Sequence, residues 1–181
     1  TGATGTLPDG RHVAYMHSNG NPVSFAVVDL ATGDVISDCL LEPKSIGAEI
    51  HVLDDGSAYF TVRDGSGALM FYWDSSSFEL TEIADQPAGE RLVRSLETDE
   101  DGVVYGVTYP NAKLFSYAPE TGVRDYGSVA TDDLYAEGLA VHDGTAYVGT
   151  GMEGGHVIAV DLDSGEMTPL EVPPAYDRIT R

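Results

Sequence analysis

The dipeptide Asp-Gly recurs along this chain at a nearly constant interval. The four copies are Asp9-Gly10, Asp55-Gly56, Asp101-Gly102 and Asp143-Gly144, and their spacings are 46, 46 and 42 residues. In the last three copies a tyrosine follows the glycine by three positions, at Tyr59, Tyr105 and Tyr147. A fixed period of this length indicates that one supersecondary unit has been copied, which constrains the architecture before any other feature does.

Each repeat contains four short runs of apolar or alternating residues separated by turn sequences. Asp-Gly predicts a two-residue hairpin between the first two runs, because Gly adopts positive φ without steric cost. A second turn sequence separates the last two runs, as in residues 29–33 and 161–165, and its Thr-Gly or Ser-Gly pair predicts another hairpin. No stretch has the apolar spacing of an amphipathic helix. Four strands in about 40–45 residues are typical of one blade of a β-propeller.

The sequence therefore predicts an all-β chain, residues 1–181, made of four blades of four antiparallel strands. The blades are expected at 1–41, 42–85, 86–130 and 131–172, with 173–181 as a tail or the start of another blade. A single blade cannot bury both of its faces, so each must stack on a neighbour. The four blades could close into a ring alone, or they could form part or half of a seven- or eight-bladed propeller, completed by further blades or by a second copy. We favour a fragment or half-propeller over a self-sufficient ring, because the chain begins inside a strand-like segment and ends where another blade would begin.

The chain is strongly acidic, with 30 acidic residues against 9 basic ones and a formal net charge of −21. Such a charge repels nucleic acids and anionic membrane surfaces, so neither is an expected partner. The excess of acid is consistent with solubility and with protection of strand edges, and also with a saline habitat or with calcium scavenging. Cys39 is the single cysteine, so no disulfide is predicted, and a buried apolar role is expected for it.

Two segments, AVVDLATGDVI and IAVDLDSGEMTPL, resemble repeats of the YVTN and quinoprotein-like group of β-propellers. A third, DGVVYGVTYPNAKLFSYAPETGVRDYG, is similar to repeats of secreted bacterial propellers, some of which occur in or beside polysaccharide-degrading enzymes. The resemblance implies the fold and an extracellular or periplasmic location, but not an activity, because propellers serve many functions. Quinoprotein dehydrogenases carry a tryptophan after the Thr-Gly turn. Here the single tryptophan, Trp73, precedes a turn, which argues against that enzyme class.

In a propeller, the loops that lead into the innermost strands and the loops between the second and third strands share one face around the central channel. These loops are expected at 42–50, 85–94 and 131–138, and at 17–22, 63–68, 109–113 and 151–156. The candidate ligand-binding residues on them are Lys44, Arg63, Asn111, Lys113, Glu137 and Glu153. Scarce cations near tyrosines would suit an anionic sugar such as a uronate, since Arg pairs with carboxylates and Tyr stacks on sugar rings. Ordinary polar loop residues are the simpler interpretation.

We expect a binding or scaffold module whose ligand is a carbohydrate or a protein. The alternative is a polysaccharide lyase acting on uronate-containing glycans, which needs a base and a cation beside the carboxylate. Tyr109 or Tyr135 would be the base, Arg94 and Lys113 would offset charge, and His156 would carry a second proton. A third hypothesis is a structural half-propeller whose partner owns the active site.

No cofactor is predicted. A divalent metal near the channel is conceivable if three of the five histidines, at positions 17, 51 and 156, converge, because imidazole is a common metal ligand.

Overall fold

The computed structural model describes residues 2–20, 22–41, 46–63, 67–83, 89–151 and 155–171, and every regular element in them is a β-strand. The sixteen strands form four sheets of four, each antiparallel and each ordered as the chain runs. This confirms the predicted all-β fold of four-stranded blades. We call the sheets blades 1 to 4.

The strands of blade 1 are β1 (Gly2–Thr6), β2 (His12–His17), β3 (Val23–Asp29) and β4 (Val35–Leu41). Those of blade 2 are β5 (Ile46–Val52), β6 (Ala58–Arg63), β7 (Ala68–Trp73) and β8 (Leu80–Ile83). Blade 3 contains β9 (Leu92–Thr98), β10 (Val104–Tyr109), β11 (Lys113–Ala118) and β12 (Gly122–Ser128). Blade 4 contains β13 (Tyr135–His142), β14 (Thr145–Gly151), β15 (Val157–Asp161) and β16 (Met167–Leu170). The chain divides into two compact units, residues 1–86 and 87–181, so that each unit holds two blades.

The prediction of two-residue Asp-Gly hairpins was wrong for the first three repeats. In blade 1 the amide of Gly10 donates to the Leu7 carbonyl, and the amide of Leu7 donates to the Arg11 carbonyl, both at 2.9 Å. This is a three-residue loop in which only Gly10 has positive φ, 87°, and blades 2 and 3 repeat it. Only in blade 4 do both residues of the pair, Asp143 and Gly144, have positive φ, as a two-residue turn requires.

The second turn is a four-residue loop in blades 1, 2 and 4. In blade 1 the amide of Asp29 donates to the carbonyl of Asp34, which encloses a four-residue loop. The Asp29 carboxylate accepts the backbone amides of Ala31 and Thr32 at 2.8 and 3.2 Å, and so replaces the missing ladder bonds. The aspartate that opens the loop, rather than the Thr-Gly pair alone, therefore specifies this turn.

In residues 1–86 the core lies between blades 1 and 2. Phe25 and Phe60 stack with ring centroids 4.2 Å apart. Two polar contacts fix the register of the two sheets: the Tyr15 hydroxyl donates to the Gly56 carbonyl at 2.5 Å, and Trp73 Nε1 donates to Ser37 Oγ at 3.2 Å. Trp73 thus joins blade 2 to blade 1, although it precedes its turn.

In residues 87–181 a second core lies between blades 3 and 4 and includes Val107, Leu114, Val148 and Val160, all fully buried. Arg124 on β12 donates to the carbonyls of Leu162 and Asp163 in the second turn of blade 4, at 2.8 and 3.0 Å. The outermost strand of blade 3 is therefore bonded to the next blade as well as to its own sheet.

Candidate functional site

Two tyrosines from blades 3 and 4 are in contact at the ends of the strands that carry the loop after β10 and the loop before β13. We call these ends the loop side of residues 87–181. Tyr109 is the last residue of β10 and Tyr135 is the first of β13. Their rings stack with centroids 4.2 Å apart and an interplanar angle of 22°, and both side chains are half-buried. The pair forms an aromatic surface at the boundary of blades 3 and 4, which we call the tyrosine platform.

The loop after β10 holds the platform together. The amide of Ala112 donates to the carbonyl of Leu134 at 3.2 Å, and this bond lies immediately before Tyr135. Ala112 is fully buried at φ 46°, a conformation that a side chain seldom adopts unless its surroundings impose it. The loop that follows Tyr109 is thus bonded directly to the segment that leads into Tyr135.

A buried carboxylate stabilises the loop after β10 through hydrogen bonds. Glu90 is 4% exposed, and it accepts Thr108 Oγ1 at 2.5 Å and Asn111 Nδ2 at 2.7 Å. Because a buried carboxylate needs such donors, Glu90 fixes the Asn111 side chain in one orientation. Asn111, a predicted binding residue, is therefore both exposed and held in place.

Blade 4 repeats this arrangement. Asp133 is buried and accepts Thr150 Oγ1 at 2.8 Å, and Thr150 Oγ1 in turn accepts the amide of His156 at 3.1 Å. Sequence reasoning missed both Glu90 and Asp133. The detectable signal is an acidic residue placed 18 or 17 positions before a threonine at the same place in two repeats.

An ion pair flanks the platform. Arg94 on β9 donates through Nε and Nη2 to one oxygen of Glu137 on β13, at 3.0 and 2.5 Å. The guanidinium carbon of Arg94 also lies 5.7 Å from the ring centroid of Tyr135. Both charged side chains are more than a third exposed, so a ligand on the platform could reach them.

Two more of the predicted residues in this unit, Lys113 and His156, also lie beside acids. Lys113 Nζ lies 2.7 Å from Asp125 Oδ2, and His156 Nε2 lies 3.4 Å from Asp132 Oδ2. Since Arg94 and Lys113 each face a carboxylate, their positive charges are locally compensated.

The environment of Tyr135 disfavours its phenolate. Partial removal from solvent, and then the hydrogen bond with Tyr109, raise the pKa of the Tyr135 hydroxyl above its ordinary value. At neutral pH Tyr135 is therefore a neutral phenol, suited to hydrogen bonding and ring stacking.

Other predicted residues lie apart from the platform or outside the described residues. Lys44 and Glu153 are in the latter group. Arg63 ends β6 in residues 1–86, and the histidines of the metal hypothesis are divided between the units, with His17 and His51 in residues 1–86 and His156 in residues 87–181. Among the residues that the structure describes, no group of three or more His, Cys, Asp or Glu side chains is placed to hold a metal ion.

A cavity of about 660 Å³ lies between blades 3 and 4 at the opposite ends of their strands, beside the Asp-Gly turns. Its walls include Asp99, Tyr105, Arg124, Tyr126 and Asp163. Burial, and then a hydrogen bond to Asp99, raise the pKa of Tyr105 well above its usual value. Arg124 is used within the wall, since it donates to backbone carbonyls and lies 4.4 Å from the Tyr126 ring centroid. Sequence reasoning did not predict this cavity.

Four sheets of this order, the copied turns and the stacked blade pairs define a protein built from β-propeller blades. No protein-family model and no curated protein sequence matches the chain. Among solved structures, virginiamycin B lyase from Staphylococcus aureus is similar with a TM-score of 0.71 at 12% identity, over 94% of this chain and 55% of the lyase. The extracellular domain of BT4673 from B. thetaiotaomicron gives a TM-score of 0.64 at 16% identity, over 93% of this chain and 22% of that one.

Puromycin hydrolase is also similar, with a TM-score of 0.61 at 18% identity, over 97% of this chain and 30% of the hydrolase. The chain thus spans about half of the lyase and less of the other two structures. At these identities the likeness shows the fold alone. No helix able to span a membrane is found among the described residues.

Proposed function

We propose that this chain is a β-propeller binding module that holds an uncharged carbohydrate on the tyrosine platform. The observation that carries the proposal is the stacked pair Tyr109 and Tyr135, with the ion pair of Arg94 and Glu137 at its edge. Tyrosine combines an apolar ring with a polar tip, which suits the apolar face and the hydroxyl rim of a sugar. A few fixed polar groups beside an apolar surface are typical of small-ligand sites.

Charge favours a neutral sugar over a uronate. Arg94 and Lys113, which the sequence suggested as partners for a sugar carboxylate, are each paired with a carboxylate already. Glu90 and Asp133 are further acidic side chains of the same loops. A uronate would have to displace an existing partner and approach these acids, whereas a neutral sugar could accept from Arg94 and donate to Glu137 without breaking their contact.

The lyase hypothesis has weaker support. One similar structure is named a lyase, but the likeness is one of fold. A tyrosine base must lose its proton near the working pH, and the pKa of Tyr135 is raised instead. We therefore place binding ahead of catalysis, and keep elimination from uronate glycans as the alternative.

The proposal includes an extracellular or periplasmic location and membership of the YVTN and quinoprotein-like group. The extracellular domain of BT4673 shares the fold, which supports the first part. The turn sequences at 29–33 and 161–165 support the second. A protein ligand at the same surface is the outcome to consider if no glycan binds.

A neutral-glycan array followed by calorimetric titration of the best ligand tests the proposal. We expect Tyr135→Ala to weaken binding about tenfold, because a stacked ring contributes on the order of 1 kcal/mol. Tyr117→Ala, on β11 of blade 3 but at the far end of its strand, is the matched control and should bind normally. Absence of binding to any neutral glycan, or equal binding by Tyr135→Ala, would contradict the proposal.

The same preparations separate binding from elimination. Uronate glycans are incubated with the protein, and unsaturated product is followed by its ultraviolet absorbance. We expect none. Product formation that Tyr135→Phe abolishes, with binding preserved, would establish the lyase instead.

A further inference from the structure

Each blade has two faces, and the two blade pairs show what covers them. In blades 1 and 2, Val13 and Tyr15 of β2 pack in one core with Phe60 and Val62 of β6. We call the face of a blade that meets the following blade its trailing face, and the face that meets the preceding blade its leading face. Blades 3 and 4 meet in the same way, through Tyr105 and other residues of the trailing face of blade 3.

The leading face of blade 1 is uncovered at positions that are buried elsewhere. Counted from the glycine of each Asp-Gly turn, Met16 corresponds to Val62 of blade 2 and Thr150 of blade 4. Val62 and Thr150 are 1% and 8% exposed, whereas Met16 is 45% exposed. Ala14, which corresponds to the fully buried Phe60, is partly exposed as well. This face has the apolar and small residues of a blade contact.

The trailing face of blade 4 also exposes a residue whose equivalents in other blades are buried. Tyr147 occupies the position of Val13 in blade 1 and of Tyr105 in blade 3, counted again from the turn glycine. Those two residues are 0% and 6% exposed, whereas Tyr147 is 40% exposed. Tyr147 is flanked on its face by Gly149 and Ala159, small residues that leave a sheet surface open to close approach.

We propose that these two faces form a contact between two copies of this chain, with the leading face of blade 1 of one copy on the trailing face of blade 4 of the other. Both faces continue an interface that the chain already makes twice, in blades 1 and 2 and in blades 3 and 4. Each copy carries one face of each kind, as a head-to-tail contact between identical chains requires.

Chain length supports a second copy as the occupant. The virginiamycin B lyase propeller is matched over 55% of its length by nearly all of this chain. Two copies therefore supply about the amount of chain that this larger propeller contains. The surface that they would bury is apolar at its centre, as stable contacts between identical chains are.

Light scattering on the purified chain over a concentration series tests the proposal. We expect the mass of two chains, and the mass of one chain for Tyr147→Asp. Leu30→Asp is the matched control, because Leu30 is also apolar and 56% exposed but lies in the turn after β3 rather than on a face of the sheet. A single-chain mass for the unmodified protein at every concentration, or a two-chain mass for Tyr147→Asp, would overturn the proposal.

Site-directed cross-linking gives a second test that requires only small changes. In a Cys39→Ala background, Met16→Cys and Tyr147→Cys proteins are mixed and treated with a short bismaleimide. The mixture should yield a linked pair of chains, and each protein alone should not. The variant that carries both Met16→Cys and Tyr147→Cys is treated in the same way. A cross-link between the two cysteines of one chain, with the mass of a single chain, would show that the two faces cover each other and would overturn the proposal.

Discussion

At the scale of single residues, Phe78 departs most clearly from the repeat. It occupies the position of positive φ that Gly33 and Gly165 hold in other blades, with φ 61°. Its ring stacks on Trp73, with centroids 5.6 Å apart and planes within 5°. A side chain in this conformation costs about 1 kcal/mol, and the stacked contact offsets that cost.

Replacing Phe78 tests this balance. Phe78→Ala loses the stacking and keeps the backbone strain, so we expect about 1–2 kcal/mol of lost stability in urea unfolding. Phe78→Gly loses the same contact but removes the strain, so it should be more stable than Phe78→Ala by about 1 kcal/mol. Equal or reversed stabilities would show that the positive φ carries no strain.

Asp74 gives the same turn a dependence on pH. Its carboxylate accepts from Ser76 and Ser77, and these hydrogen bonds, with that of the Ser76 hydroxyl foremost, lower the pKa of Asp74 to about 2. Because the pKa is lowered in the folded protein, the carboxylate adds stability at pH values above its ordinary pKa of 3.8. This stability is lost as the pH falls through about 2.

The difference in unfolding free energy between the unmodified protein and Asp74→Ala should therefore be constant near neutral pH and shrink between about pH 4 and pH 2. Asp74→Asn keeps an acceptor oxygen but cannot titrate, so its advantage over Asp74→Ala should not change with pH. If the first difference did not shrink in acid, the carboxylate would not be the group that holds the turn.

At the scale of strands, close packing distinguishes two glycines that lie in the second strands of their blades. A Cβ on Gly106 of β10 would lie within 2.4 Å of the Phe115 ring, whereas a Cβ on Gly149 of β14 would meet nothing within 4 Å. Neither requires positive φ. Gly106 is therefore needed for space beneath Phe115, which is fully buried.

We expect Gly106→Ala to destabilise the protein by about 2 kcal/mol, since an overpacked core must shift a buried ring. Gly149 lies on the face that we propose to contact a second copy, so Gly149→Ala is made in the Tyr147→Asp protein, where it should remain within about 0.5 kcal/mol of its parent. Both are measured by thermal unfolding. A mild effect of Gly106→Ala would mean that β10 and β11 separate easily at this point.

The strands were largely predictable from the sequence, and the turns were not. Alternating runs such as residues 58–62 define strands because one face of each must be buried. Asp-Gly marks a turn, but its length depends on whether Asp also takes positive φ, and only Asp143 does so. That choice depends on the pairing of the flanking strands, which no single dipeptide reveals.

At the scale of the whole molecule, the net charge of −21 sets the response to salt. Repulsion among exposed carboxylates destabilises the compact state, and screening relieves it as the Debye length falls from about 30 Å at 0.01 M to about 10 Å at 0.1 M. The melting temperature should rise over this range by several degrees, equally in sodium and potassium chloride. A flat or falling curve would mean that the acidic surface contributes little net repulsion.

The loop side could be predicted only in outline. In a propeller, the loops before the first strand and the loops after the second strand of each blade share a face. This rule predicted that Tyr109 and Tyr135 lie on the same side, and their rings are stacked. The ion pair of Arg94 and Glu137 was not foreseen, because it spans 43 residues and depends on the packing of β9 beside β13. A count of cations therefore does not reveal that Arg94 and Lys113 are each paired with a carboxylate.

Nuclear magnetic resonance of the labelled chain, titrated with the neutral oligosaccharide that binds best, tests the central claim most directly. We predict saturable shifts concentrated at Tyr109, Asn111 and Tyr135. Shifts centred instead on Tyr105 and Arg124, in the cavity beside the Asp-Gly turns, or no shifts at all, would contradict the assignment of the tyrosine platform as the binding site.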